Sequence, residues 1–114
     1  MSYDVELVDP VTGQPLPSPE HFEEGGTRAF GGANLCELNV TYNYAEVYGG
    51  LVRDLNGRPA VDTIPELEEF CDLWKYARPY ERDYWAPTPG NACAAIARLL
   101  SFARAHPDGV WMVL

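Results

Sequence analysis

The chain has 114 residues, 46 % of them hydrophobic and 12 % aromatic, with a formal net charge of −9 at neutral pH. That length points to one domain able to bury about two-thirds of its unfolded surface, and the apolar content excludes a disordered chain. The acidic balance argues against direct nucleic-acid binding, because such a surface repels phosphate.

The first element is a strand. In "SYDVELVDP", Tyr3, Val5 and Leu7 alternate with Asp4 and Glu6, the period of two that half-buried strands carry. The same segment has acids where a secretory signal needs a basic and then an apolar run. No apolar run approaches the about 18 residues of a membrane span. A cytoplasmic protein without membrane contact is therefore expected. Asp9-Pro10 ends the strand, and "VTGQPLPSPE" reads as turn and extended loop, because proline has no N–H for a ladder. In "EEGGTRAFGG" two glycine pairs bracket a short strand near residues 28–31. With no lysine and no GxGxxG, it is not a phosphate loop.

The clearest strand lies in "CELNVTYNY". Cys36, Leu38, Val40, Tyr42 and Tyr44 fall on one face, and Glu37, Asn39, Thr41 and Asn43 on the other. Strand 36–43 is thus expected to have one packed and one wet face. From Tyr44 the period changes. Tyr44, Val47, Tyr48, Leu51, Val52 and Leu55 make a helical stripe. Gly49 and Gly50 interrupt it at a cost of about 1 kcal/mol each, and Asn56-Gly57 stops it. Asn43 is read as the helix cap through its side-chain oxygen.

A second helix is expected with Thr63 as its N-cap, Pro65 in its first turn and Glu66 closing a T-x-x-E capping box. Its buried stripe is Leu67, Phe70, Cys71, Trp74 and Ala77, and Pro79 ends it. Glu66, Glu69, Asp72 and Lys75 face water. A third helix opens at Thr88 with Pro89 first and packs Ile96, Leu99, Leu100 and Ala103. After Asp108-Gly109, "VWMVL" is the last strand. The expected fold is α+β: a small, mainly antiparallel sheet of segments 3–8, near 28–31, 36–43 and 110–114, packed by about three helices as a single domain. Tyr42 and Trp111 are expected to be substantially buried.

The candidate sites are polar and aromatic rather than catalytic. Asn39, Thr41 and Asn43 could hydrogen-bond a ligand or a partner backbone, with Tyr44 and Tyr48 nearby. Tyr80, Tyr84 and Trp85, interleaved with arginines and acids, have the composition of interface anchors; a loop folded back over the core would use them equally well. His21 and His106 have no metal-ligand spacing with each other or with cysteine, and no cofactor is indicated. Cys36, Cys71 and Cys93 are odd in number and free of CxxC pairs. They read as small buried hydrophobes, with a reactive thiol as the alternative. Residues 1–57 hold nine acids and two arginines, giving −7, so the acid is concentrated in the first half. That suits solubility, a basic protein partner, or an acidic imitation of nucleic acid.

The segments "SYDVELVDPVTG", "GGTRAFGG", "LNVTYNY", "YWAPTPGNA" and "HPDGVW" occur in that order. Together they resemble a family of small uncharacterised proteins of bacteria and their phages. The resemblance covers both ends of the chain and the 38–44 region, not residues 45–82. It implies a bacterial or phage origin and assigns no catalytic residue. By analogy with small acidic phage proteins that bind and block a host protein, the sequence is read as a non-enzymatic protein-binding module. The alternatives are a small-ligand binder or enzyme on the Asn39/Thr41 face, and an acidic nucleic-acid mimic. A homodimer through an edge strand is possible under each.

Overall fold

The computed structural model describes residues 2–19, 35–77 and 87–114 and the backbone of 23–24 and 27–28. Its strands are β1 (Ser2–Val8), β2 (Glu23–Glu24), β3 (Thr27–Arg28), β4 (Glu37–Thr41) and β5 (Val110–Val113), and its helices α1 (Ala45–Tyr48), α2 (Ala60–Leu73) and α3 (Pro89–Ala105). The fold is α+β, an antiparallel sheet packed by three helices.

The sheet order is β2-β3-β4-β1-β5, with all neighbours antiparallel. β1 lies between β4 and β5, and its apolar residues recur at every second position. Tyr3 lies opposite Val40, Val5 opposite Leu38, and Leu7 opposite Trp111. This pairing puts the apolar side chains of three strands on one face. There they meet Leu67 of α2 and Ala95, Ile96, Leu99 and Phe102 of α3. Trp111 is fully buried, and its indole N–H donates to Thr63 Oγ1 at 2.9 Å.

Several expectations are corrected. Tyr42 is not in β4: the strand ends at Thr41, a 3-10 turn follows at Tyr42–Tyr44, and Tyr42 is 38 % exposed. Its ring rests edge-on against Tyr3, centroids 4.5 Å apart. The Tyr44–Leu55 stripe is not one helix. α1 stops after a single turn because Gly49 adopts φ +58°, and a second 3-10 turn forms at Arg53–Leu55. Tyr44, Tyr48, Val52 and Leu55 are nevertheless all buried. Burial follows the apolar pattern even where the hydrogen-bond ladder breaks. The segment near 28–31 contributes β3 at Thr27–Arg28, which pairs with β2; residues 29–31 lie outside the described residues.

α2 begins four residues earlier than the capping-box pattern indicates, with Pro59 rather than Thr63 at the N-cap position. Thr63 is inside the helix and fully buried, and its hydroxyl donates to the Ala60 carbonyl while accepting from Trp111. The orphan N–H groups of the first turn are satisfied from another part of the chain. Ala60 N donates to Gly109 O at 2.8 Å and Val61 N to Pro107 O at 3.1 Å. Glu66 does not reach back to a cap but forms a two-point bridge with Arg58. α3 starts as expected, with Thr88 Oγ1 accepting from Asn91 N and Pro89 in the first turn.

The outer edge of β5 is covered. Gly57 N donates to Trp111 O, Trp111 N donates to Arg58 O, and Val113 N donates to the Asn56 side chain. This removes one route to an edge-to-edge homodimer.

Candidate functional site

The polar face of β4 is largely occupied by the protein itself. The Asn39 amide donates to Ser2 Oγ at 2.6 Å and to Asp4 Oδ1 at 2.8 Å, both on the neighbouring β1. Thr41 Oγ1 accepts from Asn43 N, so Thr41, not Asn43, caps the turn that follows the strand. Thr41 and Glu37 are buried and Asn39 is half-buried. The expected wet ladder is therefore partly buried and tied up by the protein's own hydrogen bonds. Glu37 faces Glu6 in the ladder, and its Oε2 is buried without a hydrogen bond. Burial, reinforced by the Glu6 charge, raises its pKa.

The tyrosine candidates divide. Tyr44 and Tyr48 are buried core residues, their rings edge-on to each other at 6.0 Å. The Tyr48 hydroxyl donates to Ala92 O at 3.1 Å, which ties α1 to α3. Both serve packing in this conformation and offer no surface to a partner. Tyr80, Tyr84 and Trp85 lie outside the described residues.

A different surface stands open between α2 and α3. A groove of about 380 Å³ is lined by Glu68, Cys71, Asp72 and Lys75 from the α2 side and by Ala97, Leu100 and Arg104 of α3. Arg104 bridges Glu68 across it at 3.1 Å. α2 stops at Leu73 instead of continuing to Ala77, because Trp74 leaves helical geometry (φ −112°, ψ 15°) and the Ala77 N–H closes a tighter turn on Trp74 O. Leu73 is left 70 % exposed and Tyr76 88 % exposed. Lys75 Nζ lies over the Tyr76 ring, 5.3 Å from its centroid. Glu69 and Asp72 are exposed on the same side of the helix. A smaller hollow of about 170 Å³ lies beside Asp9, Leu16 and His106, where a His106 ring nitrogen meets Pro17 O.

The cysteines behave in two ways. Cys36 is fully buried, its thiol donates to Pro17 O, and burial pushes its pKa up to about 12. Cys71 and Cys93 are both half-buried and interact across the α2–α3 seam, next to Phe70 and Ala92, which Tyr48 holds together. The Cys71 thiol donating to Cys93 lowers the pKa of Cys93 to about 7, against an opposing effect of burial. The same hydrogen bond, together with burial, raises that of Cys71.

Reading the sequence missed both the groove and the thiol pair. Residues 74–88 separate the two helices, so no local spacing set Cys71 beside Cys93; the packing of α2 on α3 did. Among the described residues, no group of three or more His, Cys, Asp or Glu could hold a metal ion, and no helix is long and apolar enough to cross a membrane. No family model matches the chain, and no curated protein or solved structure matches it significantly.

Proposed function

We propose that the protein is a non-enzymatic, cytoplasmic protein-binding module whose partner docks on the outer face of α2 and the groove it shares with α3. One observation carries this reading: Leu73 and Tyr76 are 70 % and 88 % exposed beside the acids Glu69 and Asp72. Large apolar side chains grouped on a surface retain burial free energy that only a partner can release. The flanking acids and the net charge of −9 favour a basic partner, which they would attract over distance. The internal hydrogen bonds of Asn39 and Thr41 weigh against a ligand site on β4. The resemblance to small proteins of bacteria and phages makes a bacterial protein the first partner to seek.

The test is a tagged pull-down from nuclease-treated bacterial lysate at low and moderate salt, read by mass spectrometry. It compares the native protein with Leu73→Ser/Tyr76→Ser and Glu69→Lys/Asp72→Lys. The expected result is one basic protein, released by salt and bound at least about tenfold more weakly by each variant, equivalent to about 1.4 kcal/mol. A partner indifferent to both variants, or no enriched protein, would overturn the proposal. Loss of binding in Asn39→Ala alone would move the site to β4.

A further inference from the structure

We propose that Cys71 and Cys93 form a reactive dithiol, oxidised by hydroperoxides to a disulfide that ties α2 to α3. The pair is independent of the docking face on α2. The two thiols come from packed helices: the Tyr48 ring meets Phe70 of α2 at 5.7 Å while its hydroxyl donates to Ala92 O of α3 at 3.1 Å, so the next residues, Cys71 and Cys93, lie on neighbouring turns and their thiols interact. Both are half-exposed, and Cys71 also lines the open groove, which gives a small oxidant access.

The two helix positions assign the roles. Cys93 lies just past the first turn of α3, near the positive end of that helix, whereas Cys71 lies near the negative end of α2. A negative charge is better placed on Cys93, with the Cys71 S–H donating to it. The other groups that act on the pair are Arg104 from α3, Asp72 from α2 and the Tyr48 hydroxyl from α1. Arg104 favours a thiolate; Asp72 opposes one.

The chemistry balances as follows. The Cys93 thiolate attacks one peroxide oxygen; an S–O bond forms as O–O breaks, and the departing oxygen takes a proton and leaves as water. Sulfur is oxidised by two electrons and the peroxide is reduced. The Cys71 sulfur then attacks the sulfenic sulfur of Cys93. An S–S bond forms, S–O breaks, and the hydroxyl group leaves as a second water with the Cys71 proton. Two thiols and one hydrogen peroxide become one disulfide and two waters. A thiol reductant reverses the change.

Cys36 is a built-in control. It is fully buried and its pKa is pushed up to about 12, whereas that of Cys93 is lowered to about 7. Maleimide should therefore label Cys93 in the native protein at least about 100-fold faster than Cys36, even after allowing for the weaker nucleophilicity of a low-pKa thiolate.

The experiment uses the intact protein. It is exposed to hydrogen peroxide, denatured in N-ethylmaleimide, and mapped after tryptic digestion. The expected product is a cross-link between the Asp54–Lys75 and Asp83–Arg98 peptides, which hold Cys71 and Cys93. Cys36 should carry the maleimide, and dithiothreitol should abolish the cross-link. Cys71→Ser should instead give a sulfenic acid at Cys93 that dimedone traps, and Cys93→Ser should give neither product. If the native protein keeps three free thiols, or forms a disulfide through Cys36 or between molecules, the proposal is overturned. Because the native protein alone decides this, a variant that fails to fold does not rescue it.

Discussion

Gly109 shows how tightly single residues are held where the last helix returns to the sheet. A Cβ there would stand 2.8 Å from Leu7 Cγ and 2.9 Å from Leu16 Cδ1. Leu7 is fully buried in the central strand and has little room to give way. Gly109→Ala should therefore destabilise the protein by about 1–3 kcal/mol, the usual cost of overpacking, measured as a drop in the denaturation midpoint at unchanged slope. Thr63 is a second such position. Its hydroxyl is the acceptor for the buried Trp111 indole. Thr63→Val keeps the shape and removes the acceptor. The orphaned N–H should cost about 1–3 kcal/mol, and thermal unfolding with the near-ultraviolet signal of Trp111 would report it. A loss below about 0.5 kcal/mol would mean that water replaces the hydroxyl.

At the scale of elements, β1 and β4 carry an electrostatic conflict. Glu6 and Glu37 stand opposite each other, and Glu37 is 7 % exposed. Like charges directly across a ladder repel, and burial disfavours the ionised form of Glu37. The sign follows from linkage. A carboxyl whose folded pKa is raised binds its proton more readily in the native than in the unfolded state. Its ionisation therefore costs stability as pH rises through the carboxylate range, and acidification from neutral pH relieves that cost. Glu37→Gln should raise stability at pH 7 by about 1 kcal/mol and remove this component of the pH dependence, as chemical denaturation at pH 5 and pH 7 would show. Glu66 has the opposite sign: its hydrogen bond from Arg58 lowers its pKa, so its contribution is lost in acid. That pair is substantially exposed, and its worth is small. The two helices meet the sheet differently. α3 buries nine of its residues, whereas α2 buries Ala60, Thr63 and Leu67 and leaves its C-terminal end open. This unequal burial makes α2 the element with surface to spare.

At the scale of the whole molecule, the chain closes its β5 edge with residues 56–61 and leaves its acidic and apolar side chains together on the outer face of α2. The Leu73→Ser/Tyr76→Ser variant should consequently fold with stability within about 0.5 kcal/mol of the native protein, because neither side chain is buried. Its effect, if the docking face is as proposed, falls on binding alone.

The sequence alone determined β1, β4, β5 and much of the core. Strict alternation in residues 3–7 and 36–40 puts the apolar side chains on one face, so the apolar set of β1 and β4 was legible from spacing. Thr88-Pro89 was legible too, because a capping hydroxyl and a fixed φ act within one turn. Tertiary structure decided whatever depended on partners distant in the chain. The N-cap of α2 moved from Thr63 to Pro59 because the carbonyls of Pro107 and Gly109, almost fifty residues later, satisfy the first N–H groups of the helix. The asparagine on β4 spends its amide donors within the sheet because Ser2 and Asp4 lie beside it in the ladder. Cys71 met Cys93 only because α2 and α3 pack side by side. Local pattern fixes which face of an element is apolar; long-range pairing fixes which polar groups remain free, and a site is built from those.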